Sequence, residues 1–112
     1  GKTPKIVGDG KQTRDFVYVG DVVDANMRAL ASAQSGTYHI GTGKETTILR
    51  VAGLISEVFS WKKAFKRGPA VAGDVRRSCL DPRRAKKVLS WKPMVGVADG
   101  IRRTAVWFKT KR

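Results

Sequence analysis

Apolar and polar positions change period several times along this chain, so that short β-type runs give way to stretches with apolar residues three or four apart. Arg14 to Val19 (RDFVYV) is aromatic and β-branched and predicts a strand, with the turn cluster Gly8-Asp9-Gly10 ahead of it. Asp21 then stands where an N-cap belongs, and Asp24 follows in the first turn, where the helix dipole favours negative charge. Val23, Met27 and Leu30 recur at helical spacing. A helix should therefore run to about Ser32, with Gly36 beyond it as a stop signal.

Thr37 to Ile40 (TYHI) predicts a second short strand, closed by Gly41-Thr42-Gly43, and Thr47 is placed to cap the next helix. That helix should bury Ile48, Ala52, Ile55 and Phe59. From Trp61 to Asp74 the chain is basic and broken by Gly and Pro, a connection with room for a short strand around Ala64-Phe65, before the strand-like Val75 to Leu80. Asp81-Pro82 starts a helix, because Asp supplies a capping oxygen and Pro at the first helical position loses no hydrogen bond. Ala85, Val88 and Leu89 follow at helical spacing. Beyond Trp91-Lys92-Pro93 a last helix carries Val97, Ile101, Ala105 and Phe108, with Gly100 weakening it by about 1 kcal/mol relative to Ala. Short strands alternating with about four helices make an α/β chain, and 112 residues at 41% hydrophobic content suit a single domain over 1–112.

Composition alters this picture mainly through charge. No apolar run approaches the roughly 18 residues of a membrane span, and the opening GKTPKIVGDGKQ has no signal-peptide h-region. With Cys79 as the single cysteine, these features lead us to expect a cytoplasmic protein without a disulfide. The net charge is +14, and it is unevenly spread. Residues 1–60 hold seven Lys/Arg against six acids, whereas 61–112 hold sixteen against three, a net +13. A field of this sign steers anions, either phosphate-bearing small molecules or nucleic acid.

The candidate chemical motifs largely fail on inspection. Gly8-Asp9-Gly10 is followed at the third position by Thr13, and Gly41-Thr42-Gly43 by Thr46, so neither turn supplies the third glycine of a dinucleotide fingerprint. Gly10-Lys11 and Gly43-Lys44 are followed by Gln12 and Glu45, not the Ser or Thr of a phosphate loop. One histidine, His39, and one cysteine build neither a zinc cluster nor a Cys-His pair, and the bland reading is a strand histidine and a buried thiol. Arg76-Arg77 and the cluster Arg83-Arg84-Lys86-Lys87 could grip a phosphate backbone, with Trp61, Trp91 and Trp107 as stacking platforms. The competing reading is the solvated face of a helix, with Trp91 and Trp107 in the core.

The stretch GDGKQTRDFVYVGDVVDA at residues 8–25 closely resembles the segment that opens the substrate-binding half of extended short-chain dehydrogenase/reductases. These form the NAD-dependent epimerase/dehydratase family, to which UDP-glucose 4-epimerase-like enzymes belong. GTYHIGTGKETT, GDVRRSCLDPRRAKKVLSWKP and VADGIRRTAVWF continue the likeness in order over nearly the whole chain. The resemblance implies a C-terminal, substrate-binding portion, α+β in isolation, that lacks the Rossmann cofactor half. NAD is expected in full-length family members, and no cofactor in this chain. The family's Tyr-x-x-x-Lys pair is not found either, since Tyr18 and Tyr38 are followed four positions later by Val22 and Thr42.

What the resemblance implies for this chain is a half-site for a nucleotide-sugar diphosphate, without catalytic or metal-binding residues of its own. Arg14 matches the family arginine that contacts the substrate's phosphates, a task suited to paired guanidinium donors. A second family arginine is expected two residues before Gly73-Asp74, where Val71 stands, leaving Arg76 and Arg77 as candidate substitutes. In the family the helix after RDFVYV and the YHIGTG strand pack onto the Rossmann portion. Apolar surface made for that partner calls for a homo-oligomer or a Rossmann-bearing partner. The rival expectation is a basic nucleic-acid-binding or protein-interaction module built on the same scaffold.

Overall fold

A computed structural model of the chain describes residues 2–111. Four helices and four very short strands form an α/β arrangement, in the order β1 (Lys5–Val7), β2 (Thr13–Arg14), α1 (Val19–Ala31), β3 (Thr46–Thr47), α2 (Ile48–Phe59), β4 (Lys66–Gly68), α3 (Arg83–Leu89) and α4 (Val97–Thr110). β1 pairs with β4 in parallel, with Lys5 opposite Lys66 and Val7 opposite Gly68. β2 pairs with β3 antiparallel, placing Thr13 opposite Thr47.

The helices match their expected positions closely. Thr47 caps α2, its hydroxyl accepting the Arg50 N–H, and the Asp81 carboxylate accepts the Arg83 N–H at the start of α3. α2 and α3 both stop at a serine in the left-handed region, Ser60 (φ 52°) and Ser90 (φ 51°), each followed by a tryptophan whose N–H returns to the helix.

The strands depart further from expectation. Of RDFVYV only Arg14 joins a ladder, because Tyr18 already serves as the extended N-cap of α1 and its carbonyl accepts the N–H groups of Asp21 and Val22. Asp21 therefore caps nothing and lies within the first turn. Thr37–Ile40 and Val75–Leu80 stay outside any ladder among the described residues. Tyr38 and Ile40 pack on the core, while the second segment is held by a single backbone bond from the Thr13 N–H to the Arg76 carbonyl and by the Leu80 N–H on the Asp15 carboxylate. The strand foreseen at Ala64-Phe65 begins two residues later, where the Lys66 N–H reaches the Pro4 carbonyl.

The core is small and centred on Trp91, which is fully buried against Ala25, Ala85 and Leu89. Two alanines leave the space that the indole fills, and its Nε1–H donates to the Asp21 carbonyl at 2.8 Å. The buried Asp21 carboxylate accepts the backbone N–H groups of Met94 and Val95 at 3.1 and 3.0 Å. α1 thus faces the core through Asp21 and Ala25. Its apolar stripe lies on the other side of the cylinder, with Val19, Val23, Met27 and Leu30 exposed at 65%, 54%, 62% and 82%.

The molecule is correspondingly flat, at 50 × 36 × 18 Å with a radius of gyration of 16.4 Å; a compact chain of this length has a radius of about 13 Å. It exposes 8159 Å², where a monomer of its mass typically exposes about 6,100 Å².

Replacing Asp21 by Ala should strand two part-buried N–H groups and lower stability by about 1–3 kcal/mol. Asp24→Ala, at a half-exposed helix position, should change it by less than about 0.5 kcal/mol. Urea unfolding followed by tryptophan emission compares the two, and equal losses would show that the Asp21 bonds do not hold the 94–95 turn.

Candidate functional site

β1 runs out into a tight turn in which Gly8 and Gly10 take φ of 69° and 72°, conformations that L side chains avoid. The turn carries Asp9 toward the segment after β4. Between them opens a cleft of about 390 Å³ whose walls include Gln12, Val71, Asp74, Val75 and Arg76.

Of the three candidate arginines, Arg76 lines this cleft, and Arg14 bonds two residues of its wall. Arg14, at the end of β2, donates from Nη1 to the Val75 carbonyl and from Nη2 to Asp74 Oδ1, both at 2.7 Å. Arg76 lines the cleft and forks onto Asp9, with bonds of 2.8 and 2.9 Å to its two carboxylate oxygens. Arg77 points elsewhere: its Nε and Nη2 donate to Glu45 at 2.9 and 2.6 Å, outside the cleft lining. Successive residues of an extended segment face opposite sides, so the Arg76-Arg77 pair cannot act as one clamp.

The carboxylates that hold these guanidinium groups were not singled out by sequence reasoning. The Arg76 guanidinium, followed by the Lys11 N–H, keeps the Asp9 carboxyl well below the usual range. Arg77, followed by the Thr13 hydroxyl, lowers Glu45 from 4.5 to about 2. Both pairs are exposed, the Arg76 and Asp9 side chains at 61% and 49%. Water screens such an exposed pair, so Arg76 can leave Asp9 for a better anion at small cost.

A further residue missed in the sequence is Asp15, whose carboxylate accepts the N–H groups of Thr42, Gly43 and Leu80 and the Thr42 hydroxyl. A charged residue inside an otherwise β-branched run was the available signal. The Thr42 and Gly43 amides are therefore already engaged.

Other candidate groups are placed less suggestively. Within the α3 cluster, Arg83 pairs with Asp81, and Arg84 donates to the Thr37 carbonyl and lies over the Tyr38 ring. Trp91 is buried and offers no stacking face, while Trp107, expected in the core, is 55% exposed. His39 is exposed and in no strand, and Cys79 is exposed, not buried. Desolvation, then the negative charge of Asp15 and Glu45, pushes the Cys79 thiol up, the opposite of an activated nucleophile. On another face, an apolar groove of about 470 Å³ lies between α2, α4 and the Phe16–Val19 segment, walled by Tyr18, Phe59, Ile101 and Phe108. No helix among the described residues is long and apolar enough to cross a membrane.

Comparison with known proteins gives a consistent result. Residues 1–104 match the family model for GDP-mannose 4,6 dehydratase. The UDP-glucose 4-epimerase of Mycolicibacterium smegmatis is 43% identical over 112 residues, which are 99% of this chain and 36% of that protein. The crystal structure of the Thermotoga maritima UDP-glucose 4-epimerase with UDP-glucose superposes with a TM-score of 0.93 at 37% identity, over 98% of this chain and 36% of the other. The Bacillus cereus UDP-glucuronic acid 4-epimerase, in complex with UDP-glucuronic acid and NAD, gives a TM-score of 0.85 at 28% identity, over 97% and 36%. This chain thus spans little more than a third of the relatives it matches.

The depressed Glu45 value implies a pH signature. Its ion pair adds stability above the unfolded value of 4.5, and that contribution disappears as pH falls toward about 2. A carboxyl titration by NMR should give a Glu45 midpoint near 2, moving up toward 4.5 in Arg77→Ala. A midpoint already near 4.5 in the parent chain would mean that the pair is open in solution.

Proposed function

The chain belongs to the GDP-mannose 4,6 dehydratase family, and from that premise we propose that it is the part of a nucleotide-sugar epimerase or dehydratase that holds the substrate's diphosphate. The observation that carries this reading is that Arg76 lines the cleft while Arg14 bonds Asp74 and Val75 in its wall. Guanidinium groups supply forked donors matched to phosphate oxygens, and Asp9, the present partner of Arg76, is exposed enough to be exchanged.

Val71, which stands where the family resemblance expects an arginine, lines the same cleft as Arg76. A guanidinium from Arg76 can thus enter the space that an arginine at 71 would serve. Arg14 is the fixed member of the pair, braced by the Val75 carbonyl and Asp74, and Arg76 the mobile one. Binding the nucleotide handle in this way orients the sugar and removes much of the entropic barrier to its reaction. Arg77, held by Glu45 away from the cleft, is left out of this role.

NAD, the hydride acceptor expected in the full-length enzymes, belongs in this reading to a portion outside these 112 residues. The chain's own glycine turns do not suit a dinucleotide. The Thr42 and Gly43 amides are taken by Asp15, and the Gly8–Gly10 turn leads into β2 instead of opening a helix. Neither tyrosine has the lysine that would lower its pKa for proton abstraction. The α1 stripe and the apolar groove are the surfaces that a cofactor-bearing portion, or a second copy, would cover. A cytoplasmic setting keeps the exposed Cys79 thiol reduced.

Two measurements test this reading. UDP and UDP-glucose titrated calorimetrically into the intact protein should bind. Arg14→Ala should weaken both by about 10- to 100-fold, the loss expected for charge-assisted bonds, and Arg76→Ala should weaken both to a smaller extent. Affinity unchanged in Arg14→Ala would refute the assignment. Light scattering of the 112-residue chain alone should show self-association that Met27→Glu with Leu30→Glu removes. A stable monomer at high concentration would argue against the need for a cover.

A further inference from the structure

Arginines and lysines are used differently in this molecule. Every ion pair among the described residues engages an arginine, and no lysine takes part in one. Five of the lysines lie on or just ahead of the two paired strands β1 and β4. Because β1 and β4 are parallel, the chain enters both strands from the same end. Lys5 therefore stands directly opposite Lys66, and Lys2, ahead of β1, shares that end with Lys62 and Lys63, ahead of β4. All five are exposed. The end of the Lys5 side chain lies over Gly68.

Like charges directly opposed across a ladder destabilise it, yet the Lys5–Lys66 pair has no carboxylate bonded to either member. No carboxylate among the described residues pairs with any of the five, and Lys63 lies over the Trp61 ring. None of the five lines the diphosphate cleft.

We propose that this lysine edge binds the phosphate backbone of nucleic acid irrespective of base sequence, as a site separate from the diphosphate cleft. Lysine ammonium groups are point charges that follow a phosphate chain without demanding forked geometry. A membrane surface is the poorer match, because interfacial binding adds inserted apolar side chains to the charge. No large hydrophobic residue is exposed from Lys2 to Gly10 or from Trp61 to Gly68.

The test is anisotropy of a labelled 20-base-pair duplex with the intact protein across 50 to 200 mM salt. Five phosphate contacts give a slope of about −4.5 in log K against log salt, or about 500-fold weaker binding over that range. The variant K2Q/K5Q/K62Q/K63Q/K66Q should bind at least about 100-fold more weakly at 50 mM. The milder K5Q/K66Q, which also removes the like-charge pair, should lower the slope by about 2. A control of equal charge, K44Q/K86Q/K87Q/K92Q/K111Q, should stay within about tenfold of the parent. Far-UV circular dichroism and melting of each variant confirm that it is folded. Absence of duplex binding at 50 mM salt overturns the proposal, as does equal weakening by the control. Equally tight, edge-dependent binding to phosphatidylserine vesicles would also overturn it, in favour of a membrane surface.

Discussion

The arrangement depends on one carboxylate. Asp15 accepts hydrogen bonds from Thr42, Gly43 and Leu80, and so ties β2, the glycine loop before β3, and the segment leading to α3 at a single point. In a larger α/β protein such segments would be aligned by ladders. Here the ladders are two or three residues long, and an ionised side chain with about four acceptor positions does their work. Arg14 precedes Asp15 in sequence, so the same clamp fixes the guanidinium that braces the cleft. Fold and candidate site are coupled through adjacent residues of opposite charge.

A second constraint is the poverty of the interior. One fully buried indole, two alanines and a few aliphatic side chains form the core, while many of the larger apolar side chains face outward. α1 shows the division within one element: its inward face is Asp21 and Ala25, and its outward face Val19, Val23, Met27 and Leu30. A helix normally turns its larger apolar residues toward its own core. The inversion is the expected behaviour of an element with another body to meet, and the chain covers only 36% of the relatives it matches.

Much of this was legible in the sequence, and the misses share a cause. Helices were readable because capping and periodicity are local: Thr47 and Asp81 perform the capping that their positions announce. Family and fold class were readable because four ordered motifs run the length of the chain. The strands were not, since Thr37–Ile40 and Val75–Leu80 carry β-type residues but meet no ladder partner, and partnership is a non-local property. Asp21 looked like a cap by position and proved to be a buried acceptor for residues more than seventy positions away. Within the candidate site, Arg14 was identified through family likeness. Its bracing by Asp74, the hold of Asp9 on Arg76, and the divergence of Arg77 toward Glu45 depend on contacts between distant segments that no spacing rule encodes.

The 18 Å short dimension has a thermodynamic consequence. A slab little thicker than one helix with its side chains, about 10–12 Å, has no depth in which to accumulate cohesion. Whatever settles on α1 binds only the folded state, because the stripe exists only when the helix does, and by mass action it draws the unfolding equilibrium toward the native form. A partner on that stripe would make the melting temperature depend on the partner's concentration, and association and folding would become a single equilibrium.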